Sequence, residues 1–274
     1  MPLPFNLLLG PNFSQYTING SNGLISLVGG SGAGSGASDL AVFRGDLGLT
    51  YGTDGYSTWA DQTANAHNFT QASALLQPVQ SHTINSQACM SFSGSTAMSN
   101  SAFFPGAGVA KGIMLVYKLT TLPTSGSAFY IPIAIKNPAS AFSTIYFFNS
   151  YTTFSNISYC FDLTSSSTVF SGINPTLDTN THTLIIQYNG GTNSSSSSYT
   201  TYFDGVLTAQ GSGTGATSYT TSFLCSVGGT LSSGDAVAVG GKIDIAELHT
   251  YTGTITPVQL AALQSYWTSR YGDA

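Results

Sequence analysis

Short apolar runs separated by turn-forming residues fill this sequence from residue 37 onward. About ten runs are rich in apolar, β-branched and aromatic side chains, and clusters of Gly, Pro, Asn and Ser lie between them. Runs of this length and spacing predict an all-β sandwich or barrel. Several are apolar on both faces, as in central strands of a sheet that is covered on both sides. The runs are "ACMSF", "IMLVYK", "AFYIPIAI", "TIYFF", "ISYCF", "TLIIQY", "YTTYF", "SFLCSV", "AVAVG" and "KIDIAEL".

One long hairpin stands out in residues 183–206, "TLIIQYNGGTNSSSSSYTTYFDGV". Leu184, Ile186 and Tyr188 alternate onto one face of its first strand. The serine run is expected to form a solvated tip, and the "DG" pair at 204–205 predicts a tight turn.

The C-terminal segment, residues 256–272, has the pattern of an amphipathic helix. Thr256 is placed to cap its start, Pro257 suits the first helical position, and Gln259 completes a capping box. An apolar stripe expected to pack on the sheet consists of Leu260, Leu263 and Trp267.

The first 36 residues differ in composition from the rest. They contain an apolar tip, the strand-like "GLISLV" and the linker "GGSGAGSGAS". We therefore expect an extended N-terminal arm over residues 1–36 and one domain over residues 37–274. The start lacks the basic region of a secretory signal, and no apolar run reaches the length of a membrane span, which predicts synthesis in a cytoplasm.

Charge is scarce along the whole chain. Charged residues make up 6%, against about 25% in an average soluble protein. Apolar residues make up 42% and aromatic residues 12%, which predicts a folded chain with a surface wetted by hydroxyls and amides. The six Lys and Arg are dispersed, so nucleic acid and anionic membranes are not expected partners.

The cysteines, Cys89, Cys160 and Cys225, lie in apolar runs and are predicted to be buried free thiols.

The segment "STWADQTANAHNFTQ", residues 57–71, is the densest group of potentially reactive side chains. A hydrolytic triad would need a nucleophile held against His67 and a carboxylate that orients the ring. No GxSxG motif exists, no cysteine is near, and Asp61 is separated from His67 by a polar, turn-forming stretch. The segment is therefore predicted to be structural.

The run "KIDIAEL" invites comparison with β-sandwich glucanases, which carry catalytic carboxylates on one strand in an ExDxxE pattern. Lys242 replaces the first glutamate, which leaves Asp244 and Glu247. These two face opposite ways in a regular strand, so the pair fails unless a bulge intervenes. Glu247 is the only glutamate in the chain. We expect it to be hydrogen-bonded, to Arg44 or to the indole of Trp59, because an unpaired buried carboxylate is costly.

Metal and lyase chemistry have weak candidates. The four histidines, His67, His82, His182 and His249, share no zinc-binding spacing. Asp178 and Asn180 in "LDTNTH" are either calcium ligands at a sandwich rim or, as we expect, caps of a turn. A polysaccharide lyase would pair a tyrosine with His182 or His249 as base and acid.

The tripeptide Arg44-Gly45-Asp46 occurs in "FRGDLG". Integrins read these three residues in other proteins. Here they are expected within the first strand of the domain rather than at a loop tip, so a role in cell adhesion is not predicted.

Several segments, in order, resemble the laminin-G-like, concanavalin A-like jelly rolls of bacterial and phage surface proteins. They are "LAVFRGDLGLT", "STWADQTANAHNFTQ", "LLQPV", "SFSG", "YFDGV", "VGG", "GKIDIAELHTYTGTIT" and "YWTSRYG", spread over residues 39–272. The resemblance implies an antiparallel β-sandwich jelly roll with one C-terminal helix. It also implies that Trp59 packs in the core and that Asp61 ties a turn to backbone amides.

Proteins with this kind of domain bind glycans or neighbouring subunits of viral particles. The resemblance and the arm together predict a non-enzymatic structural protein of a phage virion, either a capsid decoration protein or a tail-associated adhesin. Its arm would dock to the particle or form a homo-oligomer, and its jelly roll would face outward, toward host-surface glycans. The alternatives are a free-standing, extracellular carbohydrate-binding module or lectin and, third, a polysaccharide-cleaving enzyme. No catalytic residue and no cofactor is predicted, with calcium left open.

Overall fold

The computed structural model contains β-strands throughout and one α-helix at the C-terminal end. It describes residues 16–19, 24–27, 36–101, 109–122, 128–129, 133–136, 143–145, 149–151, 154–159, 170–173, 178–189, 199–211, 224–231, 237–240 and 242–272. The strands are β1 (Tyr16–Asn19), β2 (Leu24–Leu27), β3 (Ser38–Arg44), β4 (Leu49–Tyr51), β5 (Tyr56–Trp59), β6 (Phe69–Thr70), β7 (Thr83–Ile84), β8 (Gln87–Ala88), β9 (Met90–Ser93), β10 (Met98–Ser101), β11 (Lys111–Leu119), β12 (Ala128–Phe129), β13 (Ile133–Lys136), β14 (Ser143–Ile145), β15 (Asn149–Tyr151), β16 (Phe154–Tyr159), β17 (Phe170–Ile173), β18 (Thr181–Tyr188), β19 (Tyr199–Phe203), β20 (Val206–Gly211), β21 (Leu224–Val227), β22 (Gly229–Leu231), β23 (Val237–Gly240) and β24 (Lys242–Thr252). The helix is α1 (Pro257–Tyr271), and a short 3-10 turn spans Ala74–Leu76.

Two antiparallel sheets of seven strands face each other. The first, here called the large sheet, has the order β20-β19-β18-β11-β24-β3, and β9 pairs with the first half of β24. The second has the order β14-β13-β21-β10-β6-β5-β4. A shared core fills the space between them and contains Phe43, Leu115 and Leu184 from the large sheet and Trp59 and Val227 from the second. The sandwich predicted from the sequence is confirmed.

The predicted hairpin is confirmed as β18 and β19. Leu184, Ile186 and Tyr188 share the core face. The turn into β20 has positive φ at both Asp204 (47°) and Gly205 (76°), as a two-residue hairpin turn requires. The serine run at 194–198 lies outside the described residues.

A second core lies on the outer face of the large sheet, beneath α1. Leu263, Trp267 and Tyr271 of the helix pack there against Met114 and Val116 of β11. Leu260 packs against this core from a partly buried position. The predicted capping box is present: the backbone N–H of Gln259 donates to Thr256 Oγ1, and the N–H of Thr256 donates to Gln259 Oε1. The helix is thus a cover for one face of the sheet, as the apolar stripe predicts.

Gln259 also fixes the start of the domain. Its Oε1 accepts from the N–H of Ala37 at 3.0 Å, and its Nε2 donates to the carbonyl of Ala37 at 2.8 Å. Gly36 forms an isolated bridge with Thr254. Before this point, β1 and β2 form an antiparallel hairpin, and β2 lies beside β3 and α1. The strand in "GLISLV" is therefore confirmed, whereas its partner β1 was not predicted.

Two of the three cysteines are described. Cys89 and Cys225 are buried free thiols, as predicted. Cys160 lies outside the described residues. Among the residues that the structure describes, no helix is long and apolar enough to cross a membrane.

Candidate functional site

The segment 57–71 is a structural brace built around Asp61. One carboxylate oxygen of Asp61 accepts from the N–H groups of Val42 and Thr63, both at 2.9 Å. The other accepts from the hydroxyl of Thr63 at 2.7 Å and from the N–H of His67 at 3.0 Å. Four donors therefore hold this carboxylate, and the prediction that it ties a turn to backbone amides is confirmed.

The same segment covers the outer edge of β3. The N–H of Gln62 donates to the carbonyl of Val42 at 2.8 Å, and Asn65 Nδ2 donates to the carbonyl of Leu40 at 2.7 Å. Asp61 already occupies the N–H of Val42. An uncovered edge strand can pair with another chain, so this loop blocks the edge against unwanted pairing.

Trp59 belongs to the core rather than to a binding surface. Its side chain is fully buried, its Nε1 donates to the carbonyl of Arg44 at 2.7 Å, and its ring lies 5.5 Å from that of Phe43. The predicted packing role is confirmed. The predicted bond between this indole and Glu247 is wrong, because the indole is engaged with the Arg44 backbone.

Glu247 is the centre of a buried polar cluster between the large sheet and α1. Its Oε1 accepts from His249 Nε2 at 2.7 Å and from Trp267 Nε1 at 3.2 Å. Its Oε2 accepts from the hydroxyl of Tyr266 at 3.0 Å and from that of Tyr271 at 2.6 Å. The expectation of a hydrogen-bonded carboxylate holds, but three of its four partners come from the helix, which local sequence does not reveal.

Arg44, the other predicted partner of Glu247, is paired elsewhere. Its guanidinium binds both oxygens of Asp46, at 2.9 and 2.6 Å, and Arg270 Nη2 binds one of the same oxygens at 2.7 Å. The bidentate Arg44–Asp46 geometry is the strong form of such a pair.

The strand prediction for Arg44-Gly45-Asp46 is also wrong in part, because β3 ends at Arg44 and the next two residues form a turn. The Arg44 side chain is buried, which argues against recognition by another protein.

His249 links Glu247 to Asp39. Its Nε2 faces Glu247, and its Nδ1 lies 3.1 Å from Asp39 Oδ1. Burial alone would lower the pKa of His249, but the charges and hydrogen bonds of Asp39 and Glu247 raise that pKa to about 10. Burial alone would raise the pKa of Glu247, and the hydrogen bond and charge of His249 lower it. The imidazole is therefore held as a cation between two carboxylates, and it cannot accept a proton as a catalytic base at neutral pH.

A β-bulge in β24 decides how Asp244 and Glu247 are oriented. Across from it in β11, Val116 pairs with Glu247 and the next residue, Tyr117, pairs with Ile245, so Ala246 is the extra residue. The bulge turns Asp244 and Glu247 to the same face, the one beneath α1. The alternation expected of a regular strand therefore does not apply here. Glu247 still cannot act as a glycosidase carboxylate, because it is fully buried and both its oxygens are occupied.

His182 is clamped in a similar way at the rim of the sandwich. Its Nδ1 lies 2.9 Å from Asp204 Oδ2 and its Nε2 lies 3.0 Å from Asp178 Oδ1. Burial alone would lower its pKa, whereas the two carboxylates raise it above the ordinary histidine value. Tyr117 packs near the ring, and burial raises its hydroxyl pKa well above 10. His182 is therefore held by two carboxylates beside a buried tyrosine.

The calcium candidate is a capped turn. Asp178 accepts from the N–H of Asn180 at 2.6 Å and from Asn180 Nδ2 at 2.9 Å, in addition to its contact with His182. These two bonds cap the turn at residues 178–180, as expected of the side chains. Among the described residues, no three His, Cys, Asp or Glu side chains form a group that could hold a metal ion.

An open groove of about 210 Å³ lies where β9 meets the start of β24. Asp244 lines it with a side chain that is only 2% exposed, and its Oδ1 lies 3.0 Å from Nδ1 of the half-exposed His82. The exposed Lys242 and the hydroxyls of Ser81 and Ser91 also line the groove. Charged, imidazole and hydroxyl groups therefore line one groove. The sequence analysis did not predict this grouping of side chains.

The groove does not contain a Ser-His-Asp triad. In a triad, the serine and the carboxylate bind opposite nitrogens of the ring. Here the hydroxyls of Ser81 and Ser91 lie 3.1 and 3.5 Å from Nδ1, the same nitrogen that faces Asp244. The groove therefore lacks the arrangement that would activate Ser81 or Ser91.

A second cavity, of about 240 Å³, lies between α1 and the β19–β20 turn. Its polar groups are already used within the protein. Asp204 binds His182 and the N–H of Thr183, and Gln264 Nε2 donates to the carbonyl of Gly205. The groove beside Asp244 is therefore the better candidate site.

Solved structures with the same fold include domains and enzymes that act on carbohydrates. Domain 4 of AbnA, an extracellular GH43 arabinanase from Geobacillus stearothermophilus in complex with arabinotriose, aligns with a TM-score of 0.53 and 15% identity over 84% of this chain and 99% of its own. An arabinofuranosidase complexed with arabinofuranosyl-α-1,2-xylobiose gives 0.56 and 13% over 86% of this chain and 63% of its own. The sialidase of Trypanosoma rangeli in complex with sialic acid gives 0.52 and 12% over 85% of this chain and 33% of its own.

These similarities establish the β-sandwich fold and nothing finer, because the identities are low. The chain spans 63% of the arabinofuranosidase and one third of the sialidase. No protein-family model and no curated protein sequence matches the chain. The laminin-G-like assignment within the sandwich folds is thus not established by the comparisons.

Proposed function

We propose that this chain is a non-catalytic β-sandwich domain that binds carbohydrate. One structural match, which covers 84% of this chain and 99% of its own, is a single domain: domain 4 of an arabinanase, in complex with arabinotriose. That likeness supports a sugar-binding role without identifying the sugar. We also propose that the chain belongs to the laminin-G-like sandwiches, because its sequence segments resemble theirs.

The proposal that the domain is non-catalytic rests on one observation: among the described residues that line the groove, only Asp244 provides a carboxylate. Glycoside hydrolysis ordinarily needs two carboxyl groups that flank the scissile bond, about 5–9.5 Å apart. Among the described residues that line the groove, Asp244 is the only acidic one. Glu247, on the same face, has no oxygen free to reach a substrate.

The test is to incubate the purified chain with arabinan, xylan and sialylated glycans and to measure both retention and bond cleavage. We expect retention of at least one polysaccharide on an affinity gel and no release of reducing ends or sialic acid. Cleavage that disappears in an Asp244→Asn variant would overturn the non-catalytic assignment.

We propose that binding needs no cofactor. The oxygens of Asp178, the best calcium candidate, are occupied by Asn180 and His182. Retention is therefore expected to be equal in EDTA and in calcium. A loss of retention in EDTA that calcium restores would show that a metal site exists.

The finer proposal is that the domain is a phage virion component, exposed on the particle and attached through the arm at residues 1–36. The low charge, the sequence resemblance and the β1–β2 hairpin beside β3 and α1 support an arm with a structural role. Other virion proteins or further copies of this chain would be its partners.

Light scattering on the full chain and on a variant that lacks residues 1–34 tests the arm. The variant keeps Gly36 and Ala37, because both are tied to the body of the domain. A defined oligomer that becomes a monomer on truncation is the expected result for self-assembly. Equal monomer masses would exclude self-assembly, and co-sedimentation with phage particles would then test docking to other virion proteins.

A further inference from the structure

The groove beside Asp244 offers a buried carboxylate to a ligand at the surface. We infer, on the basis of the proposed function, that this groove binds one neutral sugar residue through neighbouring hydroxyl groups, with Asp244, His82 and Lys242 as the polar contacts. Neither the sequence resemblance nor the structural matches assign this site.

Asp244 has the properties of a fixed acceptor. It is almost fully buried on the large sheet, where it pairs in register with Ser91 of β9 and Lys118 of β11. A carboxylate has about four lone-pair positions, and the contact with His82 takes one of them. Sugar hydroxyls are donors that suit such an acceptor, and a hydrogen bond to a charged group is stronger than a neutral one.

The rim supplies the complementary groups. His82 is half-exposed and Lys242 is exposed, so both can turn toward a ligand. The hydroxyls of Ser93 and Thr120 can donate or accept. Val79, which is 40% exposed, adds an apolar contact for the carbon-bound hydrogens of a sugar ring.

The size of the groove limits the ligand to one residue of a chain. Its volume of about 210 Å³ is below the range of about 300–1,000 Å³ that is usual for pockets that engulf a drug-sized ligand. The groove is open to solvent, so neighbouring sugar residues can extend out of it.

Charge favours a neutral sugar over an acidic one. Asp244 lines the groove, where its carboxylate would repel the carboxylate of an acidic sugar. Lys242 lies at the exposed rim, where water and salt screen its attraction for an anion.

The experiment measures binding of the full chain to an array of neutral arabino-, xylo-, gluco- and galacto-oligosaccharides beside sialylated and uronate-containing glycans. Calorimetry with the best neutral oligosaccharide then compares wild type with Lys242→Ala, His82→Ala and Asp244→Asn. Thr268→Ala, an exposed position that lines the second cavity, is the matched control. Thermal unfolding of each variant shows which of them remain folded.

We expect Lys242→Ala and His82→Ala to weaken binding by about tenfold each, the equivalent of one charge-assisted hydrogen bond, and Thr268→Ala to leave it unchanged. Since Lys242 is at the surface, Lys242→Ala should keep the wild-type unfolding temperature, even if Asp244→Asn and His82→Ala, which removes the partner of the buried Asp244, do not.

Three results would overturn the inference. If wild type binds a neutral glycan and both surface variants bind equally well, the groove is not the site, although the proposed function stands. If wild type binds only acidic glycans, the ligand class is wrong. If wild type binds no glycan at all, the proposed function fails and the inference fails with it.

Discussion

Replacing Glu247 with glutamine keeps the shape of the side chain and removes its charge. Glu247 is fully buried and accepts four hydrogen bonds. The glutamine can keep an oxygen toward His249 and Trp267 and can turn its NH₂ group toward Tyr266 and Tyr271, whose hydroxyls can reorient to accept. The packing is therefore retained, and the change isolates the contribution of the charge.

The magnitude follows from the partners. Hydrogen bonds to a charged group contribute about 1.5–3 kcal/mol and neutral ones about 0.5–1.5 kcal/mol. Removal of one member of a buried ion pair costs about 3–5 kcal/mol. Asp39 still balances the charge of His249 in the variant, which reduces that cost. We expect a loss of about 2–4 kcal/mol in the free energy of unfolding, or a fall of about 5–12 °C in Tm.

Chemical and thermal unfolding, followed by circular dichroism, measure the effect. Asp54→Asn is the matched control, since it removes a carboxylate charge at an exposed position. A double-mutant cycle with His249→Gln shows whether the loss arises from the pair. An unfolding midpoint of Glu247→Gln that equals that of Asp54→Asn would refute the reasoning, because it would mean that the buried charge adds nothing to stability.

Three further outcomes are expected. The pKa of His249 is raised to about 10. Its ionic contribution to the free energy of unfolding should therefore be complete below about pH 6.5 and should be lost as the pH rises toward 10. Over this window, the Tm of wild type should fall more steeply than the Tm of His249→Gln. Asp61→Ala removes the brace on β3 and should cost about 2–4 kcal/mol in chemical unfolding, with an increase in light scattering if the open edge pairs between molecules. Burial raises the pKa of the Cys89 thiol to about 12 and that of Cys225 further, so a Cys160→Ser variant should react with a thiol reagent only on unfolding; fast labelling of the native variant would contradict this.

Long strands were predictable from the sequence, and short ones were not. β11 and β18 each contain an apolar run, and β24 begins with alternating polar and apolar residues, and both patterns indicate strands. By contrast, β5 and β6 have four and two residues and are partly polar. They are held by pairing with β4 and β10 in the second sheet, which no local sequence pattern reveals.

The polar clusters show the same limit. A single glutamate in an apolar strand signals that Glu247 must have partners, and this much was predictable. The identity of the partners depends on a bulge at Ala246 and on where α1 docks, both of which arise from tertiary packing. Trp267 belongs to the apolar stripe predicted for the helix, although its indole also carries a donor that reaches Glu247. Glu247 needs donors, and the helix carries aromatic side chains that can donate. This match in the sequence could have indicated that Glu247 lies beneath α1.

The placement of charge ties the structure to the kind of ligand that we propose. A chain of contacts runs from Asp39 through His249 and Glu247 to Tyr271, which accepts from Arg270, and Arg270 in turn binds Asp46. These scarce charges join the first strand of the domain, β24 and α1, so they hold the helix to the large sheet. A ligand therefore meets a surface of hydroxyls and amides with few ionic groups. Such a surface offers little long-range attraction to an anion and many short-range partners to a hydroxyl-rich molecule, which supports the proposal that the ligand is a neutral sugar.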